Sequence, residues 1–227
     1  MGTGNDQSDS GSVFVLGERP RTDPKVERIA TYWETVRGNR LVPERSEIDP
    51  RGLEGTLGHA FILERITGGL ARFRIAGSHL NQLTGLELRQ MPISALFVPG
   101  SREVLADALV AVFEEPAIVR MQITSPGGFG RTALQGDMVL LPLRSDLGDV
   151  DRVLGGLVMD GKIGRTPRRF EVVSQSRKSL TGYVGTTRGA PVLPARETLQ
   201  PPALQEKQVT PATPVVRGHL KLVVSNT

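Results

Sequence analysis

The chain has 227 residues, with 28 Lys and Arg against 24 Asp and Glu, a formal net charge of +4, 38% hydrophobic residues and no cysteine. The missing cysteine excludes disulfides, thiolate nucleophiles, iron–sulfur clusters, cysteine zinc sites and thiol-adduct photochemistry. The charge is uneven: residues 1–161 hold 17 cations against 21 acids, whereas residues 162–227 hold 11 against 3.

At about 150 residues per domain, the length fits one domain with tails or two small ones. Residues 1–24 are polar and rich in Gly, Ser and Asp, and read as a disordered segment. They lack the basic and apolar regions of a secretory leader, and no stretch approaches the roughly 20 apolar residues of a membrane span, so a cytoplasmic protein is expected. Asp23-Pro24 suits a helix cap and first position. The spacing of Val26, Ile29, Trp33 and Val36 predicts an amphipathic helix over Lys25–Arg37, ended by Gly38. Asp49-Pro50 opens a second short helix through Leu53.

A strand over His59–Ile66 and a strand over Leu70–Ala76 flank Gly68-Gly69, a hairpin signal. Strict alternation in the second strand puts Phe73 and Ile75 on one face and Arg72 and Arg74 on the other. A short helix follows over Ser78–Leu83, stopped by Gly85. Leu86–Phe97 is irregular, and Pro99–Glu115 reads as a longer helix. Three strands then close the core at Ala117–Thr124, Arg131–Leu143 and Arg152–Asp160. The last two are apolar on both faces, so a layer must cover each side of the sheet, and the Trp33 stripe, from this chain or a partner, is the candidate for the second side. Residues 162–227 are basic and Pro-rich and read as a linker and disordered tail, with a possible short strand at Val215–Val224. The order gives an α+β fold with an antiparallel sheet.

Two stretches carry a resemblance. Trp33-Glu-Thr-Val-Arg37-Gly38 with Pro43-Glu-Arg45-Ser46-Glu-Ile-Asp49-Pro50, and Phe73-Arg-Ile-Ala-Gly-Ser78 with Gly85, resemble the two signatures of a bacterial family of single-domain PAS proteins. The similarity covers residues 25–161. It implies a five-stranded antiparallel sheet with helices over one face enclosing a small pocket; the apolar runs of the last two strands put the N-terminal helix on the other face. It also implies a sensory or protein-interaction role in bacterial signal transduction beside partners such as histidine kinases, with no catalytic residue shared; a homodimer is expected through the Trp33 helix.

The candidate sites follow. Phe61, Phe73, Ile75, Leu80, Leu83, Phe97, Leu134 and Leu157 are the set that would line a metabolite pocket or, more simply, fill a core. Val26, Ile29, Trp33, Arg37, Arg72 and Arg74 are the candidate interface residues, Arg72 and Arg74 being suited to pair with Glu64 or Asp49 in this chain or to hold a partner's carboxylates. His59 and His79 are the two imidazoles considered as haem ligands, against a reading as ordinary polar residues; no cofactor is assigned. Glu114-Glu115 and Asp149/Asp151 lack the setting of acid–base pairs, Ser46 and Ser78 lack a triad, and Pro126–Gly130 lacks the ending of a phosphate loop, so no enzyme is expected. Arg165, Arg168, Arg169, Arg177 and Lys178 are candidate contacts to nucleic acid or an anionic membrane, a reading weakened by only 4% aromatics and no motif.

Overall fold

The computed structural model describes residues 22–128 and 130–180; the expectations for 1–21 and for Val215–Val224 lie outside the described residues. Helix α1 (Pro24–Arg37) is followed by 3-10 turns at Arg45–Glu47, Pro50–Leu53 and Leu57–His59, then β1 (Ala60–Thr67), β2 (Leu70–Ala76) and α2 (Ser78–Thr84). After 3-10 turns at Ile93–Leu96 and Pro99–Ser101 come α3 (Arg102–Glu114), β3 (Ala117–Ser125), β4 (Leu134–Arg144), β5 (Val150–Asp160) and β6 (Glu171–Ser179). Capping chemistry sets several of these limits. The Asp23 carboxylate accepts from Lys25 N at 2.7 Å to start α1, and Asp49 accepts from Arg51 N at 2.9 Å to start the Pro50–Leu53 turn. Gly85, left-handed at φ 69°, ends α2.

The strands form one antiparallel sheet in the order β2-β1-β5-β4-β3-β6. Six strands rather than five is a correction. The extra one lies in the segment read as a tail, so the folded unit continues past residue 161. β6 pairs with β3 from Ala117↔Ser179 to Thr124↔Glu171.

Two apolar layers flank the sheet. Alternate residues Val153, Leu157 and Met159 of β5 and Met138 and Leu140 of β4 join α2 and α3 in one core. Leu154 and Val158, with Val139, Leu141 and Leu143, join α1 in the other. The two-faced apolar runs of β4 and β5 are thus explained, and the cover on the second face comes from this chain. Val26, Ile29 and Trp33 are fully buried there, which withdraws them from the interface set. α1 lies close to the sheet because of Gly156: a Cβ built on it would come within 2.7 Å of Ile29 Cδ1.

The alternation expected in β2 fails at one point. Ile62 pairs with Ile75, but the next residue, Leu63, pairs with Phe73, so Arg74 is an extra residue in the ladder. Such a bulge reverses the facing of everything beyond it. Phe73 is buried among α2 and α3, while Ile75 is turned to the α1 side and is 52% exposed. The placement of Ile75 in the interior set is therefore corrected.

Candidate functional site

The bulge opens an apolar groove of about 440 Å³ on the α1 side of the sheet. Its floor is Ile62 with its register partners Ile75 and Leu154. Its wall is the 45–58 segment, through Ile48, Pro50, Leu53 and Leu57. Leu57 at the rim is half exposed, as Ile75 is. Of the interior candidates only Phe61 and Ile75 line it; Phe73, Leu80, Leu83, Phe97, Leu134 and Leu157 are at most 1% exposed and packed in the α2–α3 core. Periodicity could not separate these cases, because a groove and a core use the same side chains.

The wall is tied to α1. Tyr32 Oη donates to the Asp49 carbonyl at 3.1 Å and accepts from Asp49 N at 2.8 Å. The Tyr32 ring rests on Gly52, where a Cβ would lie 2.0 Å from the ring. Trp33 fixes the other side of α1, donating from Nε1 to the Pro142 carbonyl at 2.9 Å. The Arg37 guanidinium lies 5.6 Å from the Trp33 ring centre and pairs with Glu34 at 2.8 Å.

Two residues further along the floor, Glu64 is opposite Arg72 on one side and Arg152 on the other. Its carboxylate meets Arg72 at 2.8 Å, Arg152 at 3.0 Å and Arg74 at 3.6 Å. Burial pushes the Glu64 carboxyl up, but the Arg72 hydrogen bond and the charges of Arg152, Arg74 and Arg72 outweigh it, leaving it below the usual carboxylate range. Arg72 and Arg74 thus share the Glu64 partner named as one alternative, and not Asp49. Arg152, which closes the cluster, carried no sequence signal; only strand order brings it there.

His59 and His79 meet, with ring centres 4.3 Å apart. His79 Nε2 accepts from Met159 N at 3.3 Å, so that lone pair is engaged, and neither ring lines the groove. The pair does not fit a haem. Burial, then the charges of His59 and Lys25, opposed by Asp23, push His79 down to about 4. Unfolded imidazole binds a proton below about 6.5 and the folded one does not until about 4, so stability is complete above 6.5 and declines as pH falls between the two values. Discounted for partial exposure, the expected loss in urea unfolding between pH 7 and pH 5 is about 1 kcal/mol. His79→Gln should flatten that decline; an equal slope in the variant would refute the assignment.

Three of the other candidates, Glu114, Asp151 and Arg168, have structural partners. Glu114 pairs with Arg65 at 2.6 Å, and Asp151 with Arg152 at 2.8 Å. Arg168 is 1% exposed and donates to the Thr132 carbonyl at 2.9 Å and to Ile163, which removes it from the basic contact set. Arg177 and Lys178 lie on exposed β6, Lys178 3.9 Å from Glu34. Among the described residues no helix is long and apolar enough to cross a membrane. No curated protein and no solved structure gives a significant match to the chain. The family model described as PAS domain matches residues 21–158. With the antiparallel sheet, its α2–α3 face and more than half the sequence in agreement, the chain belongs to the PAS-domain family of sensory and regulatory modules.

Proposed function

We propose that the protein is a non-enzymatic, cytoplasmic regulatory module of bacterial signal transduction. It takes its input in the α1-side groove and gives its output through contacts with signalling proteins such as histidine kinases, as a homodimer. The observation that carries this reading is that the groove wall and α1 are one mechanical unit, joined at Tyr32, Asp49 and Gly52. A ligand that draws Pro50 and Leu53 toward Ile62 acts directly on the segment that Tyr32 holds. It shifts α1 by its differential affinity for the two placements and by nothing else. Glu114 and Asp151, both committed to ion pairs, support the non-enzymatic part.

The test is native mass spectrometry on full-length protein purified from its source cells, beside the variant Ile75→Glu. Ile75 is half exposed, so the variant folds with little change in melting temperature. A retained small molecule in the wild type, absent from the variant, is the expected result, together with kinase recovery that depends on the occupied groove. Identical masses and identical recovered partners for both proteins would refute the reading.

A further inference from the structure

The groove is not electrically symmetric. Its Leu57–Gly58 end lies beside the start of β1, its lining on that strand runs from Ala60 to Ile62, about 7 Å at roughly 3.3 Å per residue, and Glu64 lies two residues beyond its other end. Beyond that second end Arg72, Arg74 and Arg152 pair, among the described residues, with two carboxylates, Glu64 and Asp151. Arg45 belongs to the same end. Arg144 N donates to the Pro43 carbonyl at 3.0 Å and Glu44 bridges to Arg144, which fixes the start of the wall over the β4–β5 turn, where Leu143 pairs with Arg152.

Among the described residues Arg45 is the one charged residue lining the groove. Among the described residues its side chain has no hydrogen bond and no ion pair. The neighbouring acids are engaged: Glu47 by Arg40 at 2.8 Å, Glu44 by Ser46, and the Asp49 carboxylate by Arg51 N. The other residues of its motif have structural partners: Trp33 the Pro142 carbonyl, Arg37 the Trp33 ring and Glu34, Asp49 the Pro50–Leu53 turn. Arg45 is left with a free guanidinium fork beside apolar walls.

We infer that the groove binds a small amphiphile, an apolar body ending in a carboxylate, with the carboxylate on Arg45 and the body along Ile62, Ile75 and Leu57. The fork suits a planar carboxylate with two parallel N–H donors. The excess of cations at that end attracts the head, and the apolar floor of Ile62, Ile75 and Leu154 takes the tail. This inference rests on the groove being the input site proposed above, and names the chemistry that the site would take.

Three probes of equal chain length test it on the full-length protein by titration calorimetry: decanoate, decanol and decyltrimethylammonium. Decanoate should bind roughly 10 to 150 times more tightly than decanol, the range of a charge-assisted hydrogen bond, and the ammonium most weakly. Added salt should weaken decanoate alone. Arg45→Gln should bring decanoate to the level of decanol without altering decanol, Arg45→Lys should restore part of the difference, and Leu57→Asp should weaken all three. Far-ultraviolet dichroism and melting of each variant check the fold. Equal affinity for decanoate and decanol, no effect of Arg45→Gln, or no binding of any probe overturns the inference. If the probes fail while source-purified protein still retains another molecule that Ile75→Glu excludes, the amphiphile is wrong and the regulatory reading stands; if both fail, both are wrong.

Discussion

Trp33→Ala should lower the stability of the domain by about 4 to 6 kcal/mol, a large part of the 5 to 15 kcal/mol that ordinarily separates folded from unfolded states. The indole is fully buried between α1 and the sheet, among Val139, Leu141 and Leu143. Truncating a buried Trp to Ala costs about 3 to 5 kcal/mol through lost transfer energy and the cavity left behind. The Pro142 carbonyl also loses the 2.9 Å bond from Nε1, and Arg37 loses the ring it lies over, worth about 0.5 to 1 kcal/mol. For a domain of this size the melting temperature should fall by roughly 10 to 20 °C. Trp33→Phe isolates the hydrogen bond, at about 1 to 2 kcal/mol. Because the ring faces its own sheet, the variant's effect is on unfolding and not on association. An unchanged urea midpoint would refute the burial assignment, and a loss of dimer mass by light scattering without a stability change would return Trp33 to the interface set.

The legibility of this fold follows from which residues are buried on how many sides. α1 was readable because Val26, Ile29 and Trp33 repeat at helical spacing and Asp23-Pro24 marks its start. The apolar runs Met138–Leu141 and Leu157–Met159 announced a sheet covered on both faces. Three features left weaker traces. The Arg74 bulge is a matter of pairing register, and nothing in Leu70–Ala76 distinguishes it from regular alternation, so the pattern alone puts Ile75 on the Phe73 side. The groove depends on how the 3-10 turns from Arg45 to His59 stand off from β1, which no periodicity encodes. β6 was hidden for a third reason. As an outer strand with both faces largely wet, Glu171–Ser179 has no apolar period, and its Ser, Gln, Arg and Lys residues look like a tail. The available signal was Phe170 followed by Val172 and Val173, an apolar cluster in a polar region.

That strand supplies the second large prediction: a chain ending at Gly161 should not form a cooperatively folded domain, although it contains all of residues 25–161. The loss begins with Phe170, which is fully buried, packed edge-on against Phe97 at 5.9 Å and hydrogen-bonded on both sides, from its N–H to the Leu96 carbonyl and from Val98 N to its own carbonyl. Removing that side chain alone costs about 3 to 5 kcal/mol. Arg168 goes with it. Its guanidinium satisfies the Thr132 and Ile163 carbonyls, and its backbone N donates to Leu83 at 2.9 Å at the end of α2. The Thr132 and Leu83 carbonyls would be left without these partners, at about 1 to 3 kcal/mol for each that stays buried. The ladder on β3 is then exposed from Ala117 to Thr124, and an uncovered edge beside Val119, Met121 and Ile123 invites pairing with another chain. Together these terms approach the whole stability of a typical domain. Size-exclusion chromatography should show aggregates, and thermal melting should show no sharp transition. Phe170→Ala in the full chain separates the packing term from the edge term, and should keep a cooperative but earlier melt. A monomeric 1–161 chain melting within a few degrees of the full protein would show that β6 is an appendage and not the sixth strand of the domain.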